Sequence, residues 1–119
     1  MNRVRILIVA IVVGAFVIGG SYLVTRGTGG GGIAYEVNVS VTGGKSMFPE
    51  HLRAKQNDTL TVNIKSDTDG EVHLHGYDIH FDTKAGQTVS HTFKADKTGT
   101  FEVEWESTST HLGDFTVNP

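Results

Sequence analysis

Residues 71–81 read EVHLHGYDIHF. Val72 and Leu74 alternate with His73 and His75; past Gly76, Ile79 and Phe81 alternate with His80. A period of two marks a strand with one buried face, and a glycine between two such pieces marks a bulge or a bend. Three of the chain's six histidines fall within these residues. His73 and His75 leave the same face of their strand, with Cβ atoms roughly 6.5–7 Å apart. Imidazoles at that separation can converge on one metal ion.

The same period recurs on both sides of this stretch. Tyr35, Val37, Val39 and Val41 alternate with polar residues over 34–42, and Leu60, Val62 and Ile64 do so over 59–65. Val89, His91 and Phe93 share one face over 88–95, and Phe101, Val103 and Trp105 share one over 100–106 against Glu102, Glu104 and Glu106. Phe115 and Val117 close the chain over 114–118, and a short strand is expected around 52–55. Turn formers separate these runs: Asn57-Asp58, SDTDG at 66–70, KAGQ at 84–87, DKTG at 96–99 and the loop STSTHLG at 107–113. Seven or eight short strands with such punctuation and no helical period predict an all-β, Greek-key two-sheet sandwich. No internal repeat is visible.

The first residues belong to a different regime. Residues 6–24 carry no charge, and a helix of that length spans roughly 28 Å, close to a bilayer's hydrocarbon thickness. With Arg3 and Arg5 before it and Arg26 alone after it, the positive-inside rule predicts a short cytoplasmic N-terminus over 1–5. A transmembrane signal anchor is then expected over 6–24, a glycine-rich flexible tether over 25–32, and an extracytoplasmic domain over 33–119 on the periplasmic or extracellular side. From Ile33 onward seven Lys or Arg stand against thirteen Asp or Glu, a formal charge of −6. Such a surface argues against nucleic acid and favours cations. The chain has no cysteine, so its core holds without disulfides.

The order EVHLHGYD, KAGQTVSHTFKADKTGTFEVEW and HLGDFTVNP resembles the cupredoxin-like family of envelope proteins, relatives of plastocyanin and azurin. The resemblance covers roughly 35–119 and is clearest after Thr59. It implies a copper site at one end of the sandwich. His75 matches the family's first histidine ligand. Trp105 stands where the family has its cysteine, ESTST supplies no second histidine, and His111 stands at the axial methionine position. A blue site needs the thiolate for its trigonal geometry and fast electron exchange. With no cysteine anywhere, blue-copper electron transfer is excluded.

If the sandwich closes as the resemblance implies, the loop bearing His111 reaches the end that carries His75. The expected metal set is therefore His73, His75 and His111, with copper(II) as the favoured ion and zinc or no metal as alternatives. Glu106, at the start of the same loop, is a further oxygen donor. His80, His51 and His91 read as a solvent-facing, a surface and a packed histidine. Asp67, Asp69 and Glu71 offer only a short acidic loop, without the EF-hand's length or helices. No nucleophile elbow of the Gly-x-Ser-x-Gly kind is present, so no enzyme is expected. Two functions compete: a membrane-anchored copper-binding module that stores an ion or hands it to a membrane-protein partner, and a metal-free structural or interaction subunit of an envelope complex.

Overall fold

The computed structural model describes Val24, Thr25 and residues 32–119. The expected cytoplasmic residues 1–5, the membrane span apart from Val24, and the tether apart from Thr25 and Gly32 lie outside the described residues. Among the described residues no helix is long and apolar enough to cross a membrane.

The strands are β1 (Val24–Thr25), β2 (Ala34–Thr42), β3 (Ser46–Phe48), β4 (His51–Lys55) and β5 (Thr59–Ser66), then β6 (Gly70–Leu74), β7 (Ile79–Thr83), β8 (Thr88–Lys94), β9 (Gly99–Trp105) and β10 (Thr110–Asn118). They form two sheets. The first runs β1-β2-β5-β8, with β3 also on β2; the second runs β4-β10-β9-β6-β7. Two pairings, β2 with β5 and β4 with β10, are parallel, and the others are antiparallel. The expected two-sheet, all-β sandwich is what forms.

Alternation puts the apolar residues between the sheets. Val37, Val39 and Val41 of β2 and Leu60, Val62 and Ile64 of β5 face Val72, Leu74, Phe81, Val103, Trp105, Phe115 and Val117 of the second sheet. Burying a large apolar side chain contributes about 1.5–3 kcal/mol, so these residues dominate the stability. One end of the sandwich is pinned by Asp58. Its buried carboxylate accepts hydrogen bonds from the backbone N–H groups of Ile33 (3.1 Å) and Lys55 (2.9 Å) and from the Tyr35 hydroxyl (3.2 Å). Lys55 lies in β4 of the second sheet and Ile33 just ahead of β2 of the first, and this carboxylate ties the two segments together.

Two features differ from the reading by alternation. β3 forms where the Gly-rich and Pro-containing stretch hides its short alternation, with Met47 buried between exposed Ser46 and Phe48. The expected loop at 107–113 is only a 3₁₀ turn, Glu106–Thr108; β10 already begins at Thr110, so His111 lies on a strand. Its period is broken by a bulge. The register passes from His111 opposite Glu104 to Gly113 opposite Val103, and Leu112 and Gly113 are both buried. That irregularity disguises the strand in the sequence.

The bulge packs against the segment leading into β4, where the Asp114 N–H donates to the Glu50 carbonyl at 3.0 Å. A Cβ on Gly113 would lie 2.2 Å from that carbonyl oxygen and 2.6 Å from Met47 Cε. Gly113→Ala is therefore expected to destabilise the domain by about 1–3 kcal/mol, as overpacking does. Urea denaturation followed by Trp105 fluorescence measures this, and an unchanged midpoint would contradict the tight approach.

Candidate metal centre

The solvent face of the second sheet collects the site. In β6, burial of Val72 and Leu74 leaves His73 facing out, and His75 follows with the same parity. In β9, Val103 and Trp105 point in, and Glu102 and Glu104 point out. The register places His73 between Glu104 of β9 and His80 of β7, and Glu104 is also opposite His111 of β10. One row therefore reads His111, Glu104, His73, His80 across four strands.

The β6–β7 turn aligns the row. Gly76 (φ 84°) and Asp78 (φ 54°) take left-handed backbone conformations, which glycine and aspartate tolerate best. Between them Tyr77 packs its ring on Phe93 and Phe101, with centroids 5.3 and 5.1 Å away, and its hydroxyl donates to the Lys97 carbonyl. With the turn anchored, His80 stacks on His73 at 4.1 Å and 13°. The His75 ring also lies 4.1 Å from that of His73, tilted by 40°.

Carboxylates surround the three rings. His75 Nε2 donates to Glu104 Oε1 at 2.6 Å, and His73 Nε2 donates to Asp78 Oδ1 at 3.2 Å. His80 bonds Glu71 through Nδ1, and its Nε2 lies 3.2 Å from Asp78 Oδ1. His73 Nδ1 is shielded from solvent and lacks a hydrogen-bond partner; Glu106 Oε1 is 3.2 Å away but off the angle of a hydrogen bond. An imidazole that gives its N–H to a carboxylate and keeps its second nitrogen bare has the arrangement of a metal-ligating histidine. Two sets of donor atoms lie within 4.8 Å of one another: His73, His75 and Glu104, all half-buried, and His73, Asp78 and His80, of which the last two are exposed. Either set can hold a metal ion.

Of the three residues expected as ligands, the structure brings His73 and His75 together. It places His111 two strands from His73, with Nδ1 3.0 Å from Glu102 Oε2, outside both sets. The donors missed by the sequence reading are Glu104, Asp78 and His80. A signal for them existed. His80 has the same parity relative to Ile79 and Phe81 as His73 has relative to Val72 and Leu74, so a tight turn between the two strands brings the rings face to face.

The remaining expectations resolve as follows. Trp105 is buried and fills the space left by the absent side chains of Gly44 and Gly70, where the resemblance implied a cysteine. His91 is exposed on β8 with its ring edge-on to Phe81 at 4.9 Å. Asp67 and Asp69 close loops, accepting from the N–H groups of Gly43 and Ala85. An open cleft of about 740 Å³ lies elsewhere, between Ile33, Tyr35, Leu52 and Ala54; its chief acid, Asp58, is already hydrogen-bonded. Of the two regions, the histidine face holds the donor groups that could bind a metal.

No protein-family model matches the chain, and no curated protein is similar to it in sequence. Solved structures are similar in fold. A chain of a heme-copper terminal oxidase dimer aligns with TM-score 0.62 and 17% identity, covering 71% of this chain and 63% of that one. A copper-binding protein in its apo form aligns with TM-score 0.60 and 17% identity, covering 79% and 93%. A multi-copper oxidase from Pseudomonas thermotolerans aligns with TM-score 0.57 and 15% identity, covering 74% of this chain and 30% of that one. This chain thus spans less than two thirds of the oxidase chains. The fold is cupredoxin-like.

The hydrogen bond to Glu71, helped by Asp78, holds the His80 pKa above its ordinary 6.5, and the bonds from His73 and His80 hold Asp78 below 3.8. A raised histidine adds stability fully below its unfolded pKa and loses it as pH rises through the folded one. A depressed carboxylate adds stability above its unfolded pKa and loses it as pH falls through the folded one. The pair therefore stabilises the metal-free domain most between about pH 4 and 6.5. His80→Ala is expected to lower stability in that window and to flatten its decline on the alkaline side. Urea denaturation between about pH 5 and 9 tests this; parallel pH profiles for the two proteins would rule it out.

Proposed function

We propose that this cupredoxin-like domain is a membrane-anchored, extracytoplasmic module that binds copper(II), or a similar borderline divalent ion, through His73, His75 and Glu104, and stores or delivers it. The observation that carries the reading is the group His73, His75 and Glu104, whose donor atoms lie within 4.8 Å of one another; beside it, the shielded Nδ1 of His73 makes no hydrogen bond and has only the Glu106 carboxylate near it, at 3.2 Å. Two imidazoles and a carboxylate suit copper(II) and zinc, and copper(II) binds most tightly among the first-row divalent ions. That a structural neighbour is a copper-binding protein supports the same class of ligand.

The surroundings fit an exchangeable ion better than a redox centre. The chain lacks the cysteine of a blue site, and Trp105 fills the place the resemblance assigns to it. The donors sit on a sheet face open to solvent, and His75 is 41% exposed. Seven acidic residues on or beside that face (Glu71, Asp78, Asp82, Glu102, Glu104, Glu106 and Asp114) draw cations toward it. No reaction on a substrate is proposed. In this reading the apolar residues ahead of β1, within the stretch 6–24, anchor the domain beside a membrane-protein partner.

Copper(II) titration of the purified full-length chain, read by calorimetry and by the visible spectrum, tests the reading. A His73→Ala/His75→Ala variant is expected to weaken the tightest site by at least the ~10–100-fold that even an outer partner's loss costs. Circular dichroism confirms that the variant still folds. Wild-type binding no tighter than that of an unstructured histidine peptide would leave only the interaction subunit.

A further inference from the structure

His73 belongs to two donor groups at once. One adds His75 and Glu104 to it, the other adds Asp78 and His80, and within each the donor atoms lie within 4.8 Å of one another. The two imidazoles that complete the groups are about equally open to solvent, so the carboxylates make the difference. Asp78, in the β6–β7 turn, is 84% exposed, whereas Glu104 is 17% exposed and His73 itself 15%. An ion arriving from solvent meets the Asp78 group first.

That outer group converges on one oxygen. Asp78 Oδ1 lies 3.2 Å from His73 Nε2 and 3.2 Å from His80 Nε2. His80 bonds the Glu71 carboxylate through Nδ1, so its neutral form gives up that N–H and leaves Nε2 bare, as a metal-ligating histidine does. A neutral imidazole offers one bare nitrogen at a time. His73 therefore serves one group at a time. With an ion on its Nε2 the ring proton sits on Nδ1, beside Glu106; with an ion on Nδ1 the proton returns to Nε2 and Asp78.

We propose that His73, Asp78 and His80 form the set at which a divalent ion enters and leaves, and that His73 passes it to and from His75 and Glu104. This rests on the reading of His73, His75 and Glu104 as the holding site. The ion exchanges Asp78 and His80 for His75 and Glu104 one ligand at a time and is never released to water between them. No electron moves, and a proton displaced from an imidazole by the metal goes to solvent. One ion occupies the two groups at a time.

Stopped-flow mixing of the full-length protein with copper(II), and of the loaded protein with a chelator, gives the loading and release rates; calorimetry gives affinity and stoichiometry. Wild type is expected to take one tightly bound equivalent. His80→Ala is expected to slow loading and release alike, each by ~10-fold or more, the lower end of what losing one partner costs a metal site. Affinity then moves much less than either rate. Losing an imidazole takes no negative charge from the face, so slower loading does not arise from weaker attraction of the ion. His80→Gln repeats the measurement if circular dichroism shows that His80→Ala does not fold. Unchanged rates in the His80 variants overturn the entry set and leave the holding site standing. So does a loss of affinity carried by faster release alone, which makes His80 a ligand of the held ion. Two tight equivalents, both lost in His73→Ala, overturn the passage of a single ion. No tight equivalent in wild type removes the holding site and the passage with it.

Discussion

The alternation of β9 is the constraint on which the outer face depends. Val103 and Trp105 are buried against the first sheet, so Glu102 and Glu104 are obliged to point the other way. A slip of one residue would exchange these sets and drive glutamates into the core, which the cost of burying an unpaired charge forbids. β9 lies between β10 and β6 in the second sheet. Its two outward carboxylates therefore occupy the middle of the face, and each neighbouring strand presents its histidines to them. Hydrophobic burial on one side of the sheet sets the polar geometry on the other.

Much of this was legible in the sequence, because a period of two survives wherever the chain is regular. The strands at 34–42, 59–65 and 71–75 and the inward set Phe101, Val103, Trp105 follow from it directly. The pairing of His73 with His75 follows as well, since parity alone puts them on one face. Position across strands is another matter. Family likeness puts His111 on a loop at the sandwich end, whereas the structure sets it on a strand opposite Glu104. The bulge at Leu112–Gly113 hides that strand, because two consecutive buried residues look like the end of an alternation. Alternation points Glu104 and His80 to the outer face, where His80 is exposed and Glu104 half-buried. What parity within one strand cannot supply is the register that joins separate solvent faces into one site.

The electrostatics of the face set the condition for a metal. Seven carboxylates on one side of a small domain repel one another, and the imidazoles interleaved among them lessen that cost. His80 shows how. Its bond to Glu71 holds it toward the charged form, and with His73 it stabilises the ionised Asp78. A divalent cation offers the same service with greater charge, but it requires neutral imidazole. Proton and metal therefore compete for one role on this surface. His73 gives its outer nitrogen to Asp78 and makes no hydrogen bond through its inner one, the arrangement a metal ligand would need.

Holding an ion on a sheet face has consequences that a site sunk in the sandwich end would not share. Strand residues are positioned by the core beneath them, so His73 and Glu104 need little rearrangement to meet an ion. His75 is nevertheless open to solvent on one side, at 41% exposure. A ligand so placed would be able to leave an ion and be replaced by an incoming one. A buried thiolate site gains the opposite: a fixed geometry suited to moving electrons while the metal stays. Trp105 is packed where the resemblance places the thiolate. The donor groups that could hold an ion lie instead on the outer face of the second sheet.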